Sequence, residues 1–115
     1  MRKYDVVIIG AGPAASAVAM YAEDSLRILV VEKRHILDET RFYDNVKCCG
    51  GILDDTAQKT LSRMKLALDE GVINTPQIFS VRAVDCVSRR QRRYARNYLN
   101  IDRPKFDRML LQQAA

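Results

Sequence analysis

Apolar positions form two short unbroken runs near the start of the chain and change period further on. Tyr4–Ile9 (YDVVII) is rich in β-branched residues, and Arg27–Glu32 (RILVVE) repeats the pattern. Runs this short do not support a helix. A continuous apolar run without alternation marks a strand buried on both faces, as in a parallel sheet. Gly10 ends the first run. The alanine-rich stretch from Pro13 to about Ala22 predicts a helix, with proline accepted in its first turn, where the missing N–H has no intrahelical partner anyway. Strand, glycine turn, helix and strand within roughly 30 residues make a βαβ unit, right-handed by default.

Lys33 to Lys47 is polar and aperiodic and predicts a long loop with room for one helical turn. Lys47–Leu53 (KCCGGIL) follows, and its adjacent glycines predict a tight turn. From Asp54 to Leu68 the period becomes helical: Ala57, Leu61, Met64 and Leu68 share one face. Asp54 or Asp55 caps the start, and Gly71 is the expected stop. Ile78–Val87 and Tyr94–Ile101 read as two strands joined by an exposed, arginine-rich hairpin loop. Pro104 opens a last helix with Phe106, Met109 and Leu110 facing inward. No repeat, low-complexity tract or Gly/Ser/Pro-rich linker interrupts the chain.

Composition narrows this picture. The 115 residues, 48% hydrophobic and 29% charged, suit one soluble globular domain with a modest core. The net charge of +5 is local. Arg89, Arg90, Arg92, Arg93 and Arg96 carry it, and the rest of the chain is near neutral. A nucleic-acid role is disfavoured, because charge between two strands is ordinarily solvated surface. Cys48, Cys49 and Cys86 have no disulfide-framework or zinc spacing, and the lone His35 has no motif partner. No metal is expected, and a reducing cytoplasm is the expected compartment. Asp5 interrupts the first apolar run, which argues against a signal peptide, and no run reaches the ~18 apolar residues of a membrane span.

The turn between the first strand and helix carries the candidate chemistry. Gly10-Ala11-Gly12-Pro13-Ala14-Ala15 fits G-x-G-x-x-G/A. Gly10 permits the tight turn, Gly12 lets backbone N–H groups approach a diphosphate, and Ala15 allows close helix–strand packing. The helix N-terminus adds unpaired donors and partial positive charge. Glu32 ends the second strand, 22 residues after Gly10. An acid there accepts ribose hydroxyls and disfavours a 2′-phosphate. A glycine turn of some other α/β protein is the competing reading, but strand, turn, helix and terminal acid all occur in order. Residues 4–32 are therefore expected to bind the ADP part of a dinucleotide in a Rossmann-like βαβ unit.

Beyond this fingerprint, YDVVIIGAGPAAS with VVEKR resembles the start of FAD-dependent oxidoreductases of the para-hydroxybenzoate hydroxylase type. KCCGGIL resembles the K-x-C-G-G segment of the geranylgeranyl reductase family. NYLNIDRPKFDRMLL, at Asn97–Leu111, is similar to that family's Y-x-N-I-D-R-x-x-F-D-x-W-L-L segment, and PQIFSVRAVD fits its bacterial members. Ala15 replaces the usual glycine, Met109 stands where tryptophan is usual, and Cys48 stands at a variable position often filled by proline.

The resemblance implies FAD as cofactor and flavin-mediated reduction of C=C bonds in an isoprenoid or other apolar substrate. An aromatic hydroxylase or halogenase is the enzyme alternative, and KCCGG argues against it. A truncated, non-catalytic ADP-binding module is the non-enzyme alternative. It further implies that Lys33, Cys49, Gly50, Gly51 and Arg103 join Gly10–Ala15 and Glu32 at the cofactor. Cys49 is also a possible catalytic residue; packing as a buried small hydrophobe is its alternative. For Arg103 the alternative is an ion pair with Asp102 or Asp107. Arg41 has the reach for flavin or phosphate, with solvated surface as its alternative.

The fold expected is an α/β βαβ unit with flavin loop over residues 1–50, then helix, antiparallel hairpin and the start of another helix over 51–115. That is incomplete relative to the full flavoprotein fold, whose members run to several hundred residues. The chain alone is expected to bind FAD poorly and to lack turnover. Its expected partners are the missing C-terminal part of the fold or another copy of itself, and an anionic membrane surface through the arginine cluster.

Overall fold

The structure, a computed structural model, describes residues 2–115. In order these form β1 (Val6–Ile9), α1 (Pro13–Tyr21), β2 (Ile28–Val31), β3 (Ile52–Leu53), α2 (Asp55–Arg63), a 3-10 turn (Glu70–Val72), β4 (Ile78–Asp85), β5 (Arg90–Asn100) and α3 (Arg103–Gln113). They fall into two compact units. One comprises the residues up to Cys48 together with Arg103–Ala115, the other Cys49–Asp102.

In the first unit β1 and β2 pair in parallel, Val6 opposite Ile28 through Ile9 opposite Val31. α1 is the connection between them, as the sequence predicts. The pair is clamped at its start. The Asp5 carboxylate accepts the Arg27 backbone N–H at 2.9 Å and its Nε at 3.2 Å. α1 packs against α3, and Ala11, Ala15, Ile36, Phe106, Met109 and Leu110 are buried. The inward face predicted for the last helix is thus found.

The predicted burial of both strand faces is not found. Val7, Ile9 and Val31 are exposed, Ile9 at 90%. Side chains alternate across a strand, so these residues lie on one sheet face. Parallel sheets are stable when both faces are covered, and among the described residues this face is open. No described helix is long and apolar enough to cross a membrane.

The second unit is a three-stranded sheet in the order β3-β5-β4. β4 and β5 run antiparallel from Ile78 opposite Tyr98 to Asp85 opposite Arg90, with a bulge between Ile78 and Ser80. Here the predicted loop contracts. The Asp85 carboxylate accepts the backbone N–H groups of Val87 (2.9 Å) and Ser88 (3.2 Å) and the Ser88 hydroxyl. These bonds close a turn over residues 86–89. Arg90, Arg92, Arg93 and Arg96 therefore stand on β5 itself, and only Arg89 lies in the turn. Both faces of this ribbon are exposed, so strand pairing and surface charge do not conflict.

Two further expectations are corrected. α2 stops at Arg63, short of Leu68. Lys65 takes a left-handed φ of 55°, the Lys65 N–H donates to the Ser62 carbonyl at 3.0 Å, and the Leu66 N–H donates to the Leu61 carbonyl at 3.0 Å. This is a Schellman ending, with lysine where glycine is usual. Gly71 consequently lies in the 3-10 turn and does not stop the helix. The start is as predicted: the Asp54 carboxylate accepts the Ala57 N–H at 2.8 Å. β3 is too short to show as a period in the sequence.

Candidate functional site

Gly10 ends β1 with a φ of 96°, a value that only glycine adopts without strain, while its N–H still donates to the Val31 carbonyl at 2.7 Å. Gly12 is the N-cap of α1, and no side chain caps that helix start. Pro13 brings no N–H. Among the described residues, nothing accepts the N–H groups of Ala14 and Ala15. A Cβ built on Gly12 meets nothing within 4 Å, so the approach to the helix start is open. An uncapped helix N-terminus with an open approach suits an anionic group such as a diphosphate.

Ala11 is fully buried and ties the turn to β2: its N–H donates to Glu32 Oε2 at 2.8 Å. Glu32 accepts three more bonds, all from Arg34. The Arg34 N–H and Nε reach Oε1 at 3.0 and 3.1 Å, and Nη2 reaches Oε2 at 2.9 Å. Arg34 Nη1 lies 3.5 Å from Asp107 Oδ2, and Arg103 Nε donates to Asp107 Oδ1 at 2.6 Å. The result is a chain of alternating charge, Glu32–Arg34–Asp107–Arg103. The side chains of Arg34 and Asp107 are only 7% and 3% exposed. Beside it lies a cleft of about 390 Å³ whose walls include Ala11, Glu32, Arg34, His35 and Asp38.

The Arg34 guanidinium is the main reason that the Glu32 carboxyl is held down to about 2, with the Ala11 and Arg34 N–H groups adding to it against the opposing effect of burial. Glu32 in turn holds Arg34 more firmly protonated. A folded-state pKa below the unfolded one contributes stability that is full above the unfolded value, 4.5, and is lost as pH falls toward about 2. We therefore expect Glu32→Gln to flatten the stability–pH curve between pH 4.5 and 2. Acid titration of unfolding free energies for both proteins measures it, and parallel curves would contradict the assignment.

The remaining predicted residues are placed differently. Lys33 is exposed. Arg103 is engaged with Asp107, the ion pair considered as its alternative. Arg41 makes an exposed pair with Asp44 at 3.1 Å. Cys49, Gly50 and Gly51 belong to the second unit. Cys48 and Cys49 are exposed, and the Gly51 N–H reaches Cys49 Sγ at 3.5 Å. Gly51 has φ 63°, its carbonyl accepts the Ile101 N–H at 2.6 Å, and a Cβ on it would run into the Ile101 carbonyl. Gly50 carries no such demand: a Cβ there meets only Ile52 Cδ1, at 4.0 Å.

Sequence reasoning missed Arg34 and had Asp107 only as an alternative ion-pair partner of Arg103. Both had a signal. Arg34 is a cation two residues after Glu32, where the chain bends just beyond β2. Asp107 stands one helical turn after Arg103.

No protein-family model matches the chain. It is 41% identical over 107 residues to Protein CbrA of Escherichia coli strain K12, covering 93% of this chain and 29% of that protein. The match to Protein CbrA of Shigella flexneri serotype 5b is also 41% over 107 residues, covering 28% of it. The chain thus spans less than a third of the length of these relatives. Among solved structures it is similar to a geranylgeranyl bacteriochlorophyll reductase-like protein of Thermoplasma acidophilum. That match has a TM-score of 0.72 and 25% identity, covering 96% of this chain and 27% of that one. It is equally similar to a triple mutant of the flavin-dependent brominase Bmp2, at TM-score 0.72 and 25% identity, covering 97% and 27%. The mixed α/β fold is shared with both.

Proposed function

We propose that this chain is the dinucleotide-holding part of an FAD-dependent oxidoreductase, with a Rossmann-like βαβ unit that receives the ADP half of the flavin. The observation that carries the reading is the joining of the uncapped α1 N-terminus to Glu32 through Ala11, beside an open cleft. Gly10 turns the backbone, Gly12 leaves room, and the Ala14 and Ala15 N–H groups face the diphosphate. Glu32 takes the ribose hydroxyls. Arg103 acts through Asp107 to hold the acid's surroundings. Flavin, when bound, supplies hydride chemistry that side chains lack.

The substrate class proposed is apolar, with reduction of an isoprenoid C=C bond favoured by the likeness to a geranylgeranyl bacteriochlorophyll reductase-like structure. The equal likeness to a flavin-dependent brominase supports a second reading, a halogenase or hydroxylase using the same cofactor half. In both readings the protein works in the cytoplasm.

The test is titration of the chain with ADP, followed by amide NMR. Shifts concentrated at Gly10–Ala15 and Glu32 are expected. Glu32→Ala should weaken binding by about 1–3 kcal/mol, the range for a charged hydrogen bond. Unmoved Gly12, Ala14 and Ala15 amides at saturating ADP would overturn the proposal.

A further inference from the structure

We infer that Arg34 is a latch on the ribose acid: it fills the acceptor positions of Glu32 in the ligand-free chain and yields them by moving onto Asp107. The inference rests on the reading of Glu32 as the ribose-binding carboxylate.

An ionised carboxylate offers about four lone-pair positions on two oxygens. Glu32 has all of them filled. Oε1 takes the Arg34 N–H and Nε, and Oε2 takes the Ala11 N–H and Arg34 Nη2. A ribose diol brings two O–H donors, and no acceptor position is open to them. The Ala11 N–H cannot withdraw, because Ala11 is fully buried and its neighbour Gly10 is bonded to Val31. The two positions that can be vacated are those of the Arg34 side chain.

That side chain has a second seat. Nη1 already lies 3.5 Å from Asp107 Oδ2, long for a charged hydrogen bond, and both groups are buried. A short swing of the guanidinium lengthens the Glu32 contacts and shortens this one. The planar fork of arginine suits such an exchange, because its five donors face two carboxylates at once. The charge never enters water, so the swing avoids the desolvation penalty of an exposed-to-buried move. Arg103 fixes Asp107 through its other oxygen, so the seat stays in place. Arg34 is thus a positioning residue whose release is coupled to ribose binding.

The test measures ADP and 2′-deoxy-ADP affinities by calorimetry for the 115-residue chain, Arg34→Lys, Arg34→Met and Asp107→Asn. Lysine keeps the charge without the fork, so Arg34→Lys should bind ADP at least threefold more tightly, and Arg34→Met more tightly still. The preference for ADP over 2′-deoxy-ADP should widen in both, which a merely structural role would not produce. Asp107→Asn should weaken ADP binding about fivefold with unchanged circular dichroism. Weaker ADP binding by both Arg34 variants, or an unchanged ADP/2′-deoxy-ADP ratio, overturns the latch while leaving the ribose reading standing. If Asp107→Asn fails to fold, the Arg34 variants decide alone. Absence of ADP binding by all four proteins overturns the ribose reading and the latch together.

Discussion

Asp107→Ala is expected to lower the unfolding free energy by about 3–5 kcal/mol, the range for removing one partner from a buried ion pair. Asp107 is 3% exposed and stands between two guanidiniums, Arg34 Nη1 at 3.5 Å and Arg103 Nε at 2.6 Å. Alanine leaves Arg34 facing only Glu32 and leaves Arg103 without this acceptor. Water cannot readily replace the carboxylate, because the Arg34 side chain is 7% exposed. The loss should therefore persist in high salt, whereas removing an exposed pair such as Arg41–Asp44 should cost under about 1 kcal/mol and vanish with salt. Denaturant unfolding of both variants at low and high salt provides the measurement. A loss below 1 kcal/mol for Asp107→Ala would mean that the charges are solvated.

Gly51→Ala should destabilise the chain by roughly 2–5 kcal/mol, combining left-handed backbone strain with a forced shift of packed backbone. The φ of 63° is costly for alanine, and the new methyl would meet the Ile101 carbonyl, part of the main chain to which Gly51 is bonded. Gly50→Ala is the control. Its Cβ meets only Ile52 Cδ1, at 4.0 Å, so the change should stay within about 0.5 kcal/mol. The resemblance assigns both glycines to the flavin. The geometry separates them: Gly51 has a structural duty with no ligand present, and Gly50 has none visible. Thermal unfolding without flavin tests this. Equal midpoints for the two variants would remove the structural account of Gly51.

The loop after β4 shows where local signals end. Five arginines in eight residues suggest a solvated loop. The Asp85 carboxylate instead closes the turn within four residues, and the arginines continue as β5. The left-handed ending of α2 at Lys65 is similar: a strong apolar period continues to Leu68, but backbone bonds to Leu61 and Ser62 stop the helix.

By itself the sequence determined the β1-α1-β2 order, the glycine at the positive-φ turn, the acid at the end of β2 and the inward face of α3. Each rests on a rule that acts within a few residues: strand and helix periods, steric limits on φ, and helix-end polarity. The tertiary structure decided what Glu32 is bonded to, which of two adjacent glycines is irreplaceable, and which strand face stays open. These depend on groups that meet only after folding: Glu32 and Ala11 are 21 positions apart, and Arg34 and Asp107 are 73 apart. No local period encodes such meetings, because hydrogen bonds and charge pairs depend on the distance between atoms in space.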